Sequence, residues 1–220
     1  RELTQFLQRT LDAERLNHVI LLCVTAGHAL GFNRAFLFRR NRDTNVLDPQ
    51  MAVGPTNREE AFKIWADLSA QGRSLHDLVG EVERLPLREP ASLFARIKHL
   101  RYPMDDPAEI VVRTAIEKKA QVVLDAAHDE RVSENFRKNF GSQEFVSVPM
   151  IAKGHVVGVI LADNLYSGRN ITDDHVKLLT LFAAQAALAI ENAYTYAELE
   201  MSVQELRTAQ DKVVHAEQLA

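Results

Sequence analysis

A segment of twenty residues, FVSVPMIAKGHVVGVILADN at 145–164, places the strongest constraint on the fold. Two β-rich runs flank Lys153 and Gly154, and the glycine supplies the positive φ that a tight hairpin turn needs. Side chains alternate between the two faces of a strand, and here both faces are mostly apolar. Exposed apolar area of that size is unusual in a soluble protein. The sequence therefore predicts an antiparallel sheet with a covering layer on each face.

The register of this hairpin decides which side chains share a face. A two-residue loop places Pro149 opposite Gly158 and Val146 opposite Leu161, and a slip of one residue would exchange the faces of one strand relative to the other. Gly158 and Ala162 are small enough to let a helix approach the sheet. The other face, which is expected to look away from that helix, comprises Val146, Val148, Val157, Val159 and Leu161.

Composition excludes several classes of protein. The 220 residues carry a formal net charge of −4, so there is no basic surface that would predict nucleic-acid binding. No apolar run approaches the length of about 20 residues that a membrane span requires, and no signal peptide is seen, so a soluble, cytoplasmic protein is expected. The single cysteine, Cys23, excludes a disulfide framework and a cysteine-rich zinc site and fits a reducing compartment.

The order of elements along the chain follows from apolar spacing. Helical spacing over 3–30 precedes strands at 34–40 and 46–53, and 57–118 then reads as several helices, the first of which contains Trp65 and Leu68. QVVLD at 121–125 is a short strand, and 129–140 is a helix that leads to the hairpin.

The last helix begins after Thr172 and contains neither Gly nor Pro up to residue 219. At 1.5 Å per residue it is about 70 Å long, which is roughly twice the width of a domain. The half at 178–193 is rich in alanine, so a sheet can approach it closely. The far half shows the four-three spacing of a coiled coil, which we call the seam; packing of the same stripe on a neighbouring element is the alternative. The seam residues are Leu199, Val203, Leu206, Gln210 and Val213.

This order of motifs resembles a GAF domain. The resemblance rests on LGFNRAFLF, QVVLDAAHDERV, the hairpin, and ITDDHVKLLTLFAAQAALAIENA. It implies an α+β, GAF/PAS-like fold: an antiparallel sheet of five or six strands, with the terminal helices on one face and a ligand pocket on the other. The expected organisation is an N-terminal helical extension at 1–11, the GAF domain at 12–194 with a helical insertion at 57–106, and a coiled-coil signalling helix at 195–220.

The resemblance also implies a function. The ending VVHAEQLA is similar to the helix that links GAF domains to bacterial sensor histidine kinases, so this chain is expected to be a piece of a longer protein. The expected role is a non-catalytic sensory module of a two-component protein, acting as a homodimer through its terminal helices. A small-molecule ligand is expected, and its identity and any cofactor are not given by the sequence. Two alternatives stay open: a dimerisation module whose pocket is filled by its own insertion, through residues such as Trp65 and Leu68, and a small-molecule enzyme on the same fold.

Candidate site residues are few. The pocket implied by the resemblance would be lined by the face of Val146, Val148, Val157, Val159 and Leu161. Phe136, four residues before Phe140, is interpreted first as a core residue, with a place in the pocket wall as the alternative. Asp125, Asp129 and Arg131 form the most suggestive polar cluster, although Asx turns and a surface ion pair explain the same pattern. His128 lacks a second ligand at coherent spacing, so no metal site is predicted. No catalytic motif is found.

Overall fold

The computed structural model describes residues 13–26, 30–71 and 92–218. The helices are α1 (Ala13–Thr25), α2 (Arg58–Gln71), α3 (Ser92–Ile97), α4 (Ile110–Glu117), α5 (Glu134–Phe140) and α6 (Asp173–Gln218). The strands are β1 (Arg34–Asn41), β2 (Val46–Val53), β3 (Tyr102–Pro103), β4 (Gln121–Val123), β5 (Phe145–Ala152) and β6 (His155–Asp163).

These strands form one antiparallel sheet in the order β3-β2-β1-β6-β5-β4. Helices α1 and α6 pack on one face, and α3, α4 and α5 contribute to the apolar layer on the other. The predicted α+β class, with an antiparallel sheet of five or six strands and the terminal helices on one face, is confirmed.

The helix-side core is built from small residues on α6. Ala183, Ala186 and Ala187 are fully buried and bring the helix axis close to β5. Alanine leaves room for the branched side chains of the strand, such as Val146 and Val148, which belong to the same buried cluster. The alanine-rich half of the last helix therefore covers the sheet, as its sequence predicts.

The hairpin turn is confirmed, but the faces of the hairpin were only partly predicted. Lys153 and Gly154 both have positive φ and form a two-residue turn, with Ala152 paired to His155. Ile151 pairs with Val156 and Met150 with Gly158, which leaves Val157 as an extra residue in a β-bulge.

Beyond the bulge the register is shifted by one residue, and this corrects the predicted face. Val146 lies opposite Ala162 rather than Leu161. Val146, Val148 and Val157 consequently face α1 and α6 and belong to the helix-side core, so their predicted place on the pocket side was wrong. Val159 and Leu161 do lie on the opposite face, as predicted.

Gly158, next to the bulge, explains why the strands can approach one another there. A Cβ atom added to it would lie 2.1 Å from the carbonyl oxygen of Phe38 and 2.6 Å from the Cε atom of Met150. The residue gives room to the neighbouring strand β1 rather than to the last helix as predicted.

Helix boundaries differ from the prediction where side chains cap the backbone locally. Helix α5 starts after Ser133, whose hydroxyl accepts a hydrogen bond from the amide of Phe136 at 3.0 Å, so the helix is shorter than predicted. Helix α4 starts at Ile110, because turns occupy the residues before it. The two-residue strand β3 was not predicted. Asn57 caps α2, since its side chain accepts from the amide of Glu60 at 2.8 Å.

Helix α6 continues well past the sheet. Its 46 residues correspond to about 70 Å. The last buried side chain on it is Ala193, and every side chain described between 195 and 210 is exposed, including Leu199, Val203 and Leu206 of the seam. Residues 173–210 are long and apolar enough to cross a membrane by composition, but much of that apolar character belongs to residues buried against the sheet.

Some predictions fall outside the described residues. These are the extension at 1–11, the part of the insertion at 72–91, and the side chains of Trp65, Leu68 and Val213.

Cys23 gives a prediction about reactivity. It is buried in the helix-side core, and burial raises the pKa of its thiol to about 12. Because only the thiolate reacts, the folded protein should resist iodoacetamide at pH 9, whereas the chain unfolded in urea should be alkylated within the same time. Mass spectrometry measures the added mass. Equal rates in the two states would show that Cys23 is accessible.

Candidate functional site

The face of the sheet away from α1 and α6 carries the remaining predicted site residues. Val159, Leu161 and Phe136 are all fully buried there. Helix α4 covers β5 and β6 with Ile110, Val111 and Ala115. The face therefore has an apolar floor, as predicted, although only two of the five predicted hairpin residues contribute to it.

Aromatic rings occupy the space above this floor. Phe136 stacks on Phe140 with ring centroids 4.4 Å apart and lies 4.7 Å from Phe145. Phe140 also meets the edge of Phe36 at 5.1 Å. Phe38 contacts Tyr102 at 5.8 Å. Such offset and edge contacts stabilise a core beyond the area they bury, so Phe136 is a core residue, the reading the sequence favoured over a pocket wall.

One polar atom in this aromatic cluster is left without a partner. Tyr102 is 2% exposed, and its hydroxyl makes no hydrogen bond to any residue that the structure describes. Burial, and secondly the charge of Glu109, raise the pKa of Tyr102, so the hydroxyl stays protonated and is available as a donor. Buried tyrosine hydroxyls usually find an acceptor. A strand of only two residues carries this tyrosine, which is why the sequence did not single it out.

The predicted polar cluster at 125–131 is a loop held by its own side chains. Asp125 accepts from the amide of Ala127 at 3.1 Å and lies 2.8 Å from Nδ1 of His128. Asp129 accepts from the amide of Arg131 and pairs with its guanidinium at 2.6 Å. The hydrogen bond from His128 is the main cause of the lowered pKa of Asp125, and that from Arg131 of the lowered pKa of Asp129. These are Asx turns and an ion pair at the surface.

Arg131 also fixes this loop to the sheet. Its guanidinium donates to the side-chain oxygen of Gln121 and to the carbonyl of Val122, both at 2.9 Å. The structure therefore places Asp125 and Arg131 in a loop that local hydrogen bonds hold against β4. Among the described residues no group of His, Cys, Asp and Glu side chains is arranged to hold a metal ion.

A buried ion pair that the sequence did not reveal joins two adjacent strands. Arg34 on β1 and Asp163 on β6 are 2% and 0% exposed, with Nη2 and Oδ2 2.6 Å apart. Ser142 donates to the same carboxylate at 2.6 Å, and Arg34 donates to the carbonyl of Phe140 at 2.7 Å. The pair thus ties the hairpin, β1 and the end of α5 together.

A cleft lies on the helix side, where α6 leaves the sheet. It has a volume of 280 Å³ and lies between the β1–β2 turn and the stretch of α6 from Glu191 to Glu198. Arg42 of the turn bonds Glu191 at 3.0 Å, and the guanidinium of Arg39 lies 4.2 Å from the centroid of the Tyr194 ring. The sequence signal for this site was the run RRNR at 39–42, which we interpreted only as the end of a strand and the start of a polar turn.

Comparison with known proteins places this geometry in a family. The family model for GAF domains matches residues 20–190. No curated protein sequence matches the chain. A methyl-accepting chemotaxis protein fragment is similar in structure at 20% identity, with a TM-score of 0.58 over 88% of this chain and 98% of that chain.

Two further solved structures agree at lower identity. The GAF domain/HD domain protein from Geobacter sulfurreducens has 11% identity and a TM-score of 0.59 over 87% of this chain and 98% of its own. The GAF domain from a phosphoenolpyruvate-protein phosphotransferase of Coxiella burnetii has 14% identity and a TM-score of 0.59 over 90% and 94% of the two chains. With a family model matching well over half of its length, the chain belongs to the GAF domain family.

Proposed function

We propose that this GAF domain is the sensory module of a bacterial two-component signalling protein, a sensor histidine kinase in the cytoplasm. It binds a small ligand on the sheet face opposite α1 and α6 and passes the change along α6 to an output domain. In this proposal the GAF domain itself has no catalytic activity. Support comes from the family, whose members are typically regulatory modules of signalling proteins, and from an α6 that extends beyond its own domain.

The observation that carries ligand binding is the buried hydroxyl of Tyr102, which has no hydrogen-bond partner among the described residues. A buried donor without an acceptor is destabilising by about 1–3 kcal/mol, and a ligand that accepts from it removes that cost. Aromatic neighbours such as Phe38 favour a flat or apolar ligand body. The ligand class is therefore a small aromatic or apolar molecule with one hydrogen-bond acceptor.

Tyr102→Phe tests this role. Without ligand, the free energy of unfolding of the variant should be higher by about 1 kcal/mol, because the buried hydroxyl without a described partner is gone. The midpoint of urea unfolding should therefore rise. The same variant should retain less of any ligand that copurifies with the parent protein, as measured by native mass spectrometry. Tyr196→Phe, at an exposed position on α6, is the control and should change neither quantity.

The alternative that the domain is a self-filled scaffold makes a different prediction for the retained ligand. The stacked phenylalanines favour it, because they already fill much of the face. In that case Tyr102→Phe gives the same stability gain, but no retained ligand is found with either protein. An enzyme on the same fold that uses a cysteine nucleophile is disfavoured, because the single cysteine is buried and its thiol stays protonated.

We further propose that two copies form a parallel dimer through α6. The exposed seam residues Leu199, Val203 and Leu206 recur at coiled-coil spacing and have no cover within the described part of the chain. This proposal includes neither binding to nucleic acid nor direct insertion into a membrane.

Gln210→Leu should tighten this dimer. A polar residue at a seam position fixes register at a cost in stability, so its replacement by leucine lowers the dissociation constant. Analytical ultracentrifugation over a dilution series measures the change. Gln204→Leu, also on the exposed part of α6 but off the seam, is the matched control and should have little effect. If both variants behave alike, these residues do not form a seam.

Kinase output is tested on the full-length protein. Incubation with labelled ATP should give a phosphorylated histidine downstream of α6, and ligand should change the rate of labelling. If the full-length protein does not autophosphorylate, the proposed kinase output is wrong, whereas the assignment to the GAF family is unaffected.

A further inference from the structure

The cleft beside α6 contains a partly buried cation that donates no hydrogen bond to a described residue. Arg39 lies on β1 and stacks on Tyr194 of α6, and its guanidinium donates no hydrogen bond to any residue in the described part of the chain. Partial burial lowers the pKa of Arg39, while the charge of Asp48 acts in the opposite direction. Desolvated guanidinium groups usually have an acceptor.

The carboxylates near Arg39 are already engaged by other arginines. Asp48, its cross-strand neighbour, pairs with Arg101 at 3.0 Å. Glu191, on the helix wall of the cleft, pairs with Arg42 at 3.0 Å. Two more acidic residues line the cleft, Asp43 and Glu198, and both are exposed to water, which screens them. The charge of Arg39 is therefore met by the ring of Tyr194 and by Asp48, which also pairs with Arg101.

We propose that this cleft is a binding site for a small oxyanion, a carboxylate or a phosphate, held by Arg39. A guanidinium presents paired N–H donors that match both groups, and its stacking on Tyr194 holds its plane in place before the anion arrives. The volume of 280 Å³ lies at the lower end of ligand pockets and fits a small molecule. Val157, the bulged residue of β6, supplies an apolar wall for the rest of that molecule.

The position of the site gives it a regulatory consequence. One wall is the end of the sheet with its β1–β2 turn, and the other is the stretch of α6 where the helix leaves the domain. An occupant that contacts both walls strengthens the attachment already made by Arg42 and Glu191, so it fixes the direction in which α6 exits. This consequence rests on the proposed signalling function; the binding itself does not.

The binding is tested by NMR titration of the ¹⁵N-labelled protein with inorganic phosphate, with acetate, and with sodium chloride at matched ionic strength. Phosphate, acetate or both should give saturable shifts of the Tyr194 and Val157 amides, and chloride should not. The anion that saturates identifies the ligand chemistry. Absence of saturable shifts with both anions would overturn the site.

Variants assign the binding to Arg39. Arg39→Gln should weaken it by about tenfold or more, the loss expected for a hydrogen bond to a charged group. Arg39→Lys should also weaken it, because lysine lacks the paired donors. Arg207→Gln, on the exposed part of α6, is the control and should bind like the parent. Unchanged affinity in both Arg39 variants, with a thermal melt showing that they are folded, would refute the assignment.

Failure of this site and failure of the proposed function can be told apart. The NMR signal of Tyr194 reports binding in the cleft, and substitution of Tyr102 reports binding at the aromatic cluster. The two sites lie on opposite faces of the sheet. Saturable shifts at Tyr194, together with no retained ligand that depends on Tyr102, would support the anion site and contradict the proposed sensory pocket.

Discussion

Asp163→Ala should lower the free energy of unfolding by about 3–5 kcal/mol, one of the largest losses expected for a single substitution in this chain. The change removes the partner of Arg34, whose guanidinium is 2% exposed and would remain charged inside the protein. It also removes the acceptor of Ser142 and of the backbone amide of Leu165. Urea denaturation monitored by circular dichroism measures the difference.

The control for this substitution is Asp174→Ala. Its carboxylate is 86% exposed and lies 3.7 Å from Lys177, one turn along the same helix. A surface pair of this kind contributes at most about 1 kcal/mol. Similar losses in the two variants would mean that the Arg34–Asp163 pair is not a buried anchor of the fold.

Leu161→Ala should lower the free energy of unfolding by about 2–5 kcal/mol, because it removes buried apolar atoms from a packed layer. Leu161 is fully buried on the face of the aromatic cluster, beneath α4 and α5. A site that was an open pocket would lose much less, since water already reaches its floor. The size of the loss therefore reports how tightly this face is packed.

Leu124→Ala is the matched control, since Leu124 is 69% exposed directly after β4. Its truncation should change stability by less than about 0.5 kcal/mol. If Leu161→Ala falls in the same range, the part of this face around Leu161 is a solvent-filled pocket rather than a core, whereas the predicted loss leaves ligand space only elsewhere, as at Tyr102.

Much of the architecture could be predicted from local patterns. The turn at Lys153 and Gly154, the strands on both sides of it and the capped start of α6 depend on residues close in sequence. The need for a layer on each side of the sheet follows from the apolar character of both hairpin faces. The length of α6 follows from the absence of Gly and Pro after Thr172.

Features that depend on contacts between distant elements could not be predicted. The bulge at Val157 arises where β6 passes close to β1 at Phe38, and alternation within the hairpin carries no sign of it. One extra residue was enough to place Val146 and Val148 on the wrong face. Likewise, Arg34 and Asp163 are 129 residues apart, and only the strand order makes them neighbours.

The candidate site was predicted less well than the fold for the same reason. Tyr102 is notable only because other elements bury its hydroxyl. Arg39 is notable only because α6 places the ring of Tyr194 against it. Asp125 and Arg131 were predicted as site residues because they are close in sequence. In the structure this closeness lets their loop form local turns.

The central claim, that α6 carries this domain into a parallel dimer, is tested most directly by distances between spin labels. With the single cysteine replaced by alanine, labels at Ala197 or Gln204 occupy equivalent exposed positions seven residues apart. In a parallel dimer each label faces its own copy, so pulsed EPR should give nearly the same short distance at both sites. A monomer with no intermolecular distance, or two distances that differ by about 20 Å as in an antiparallel pair, would contradict the account.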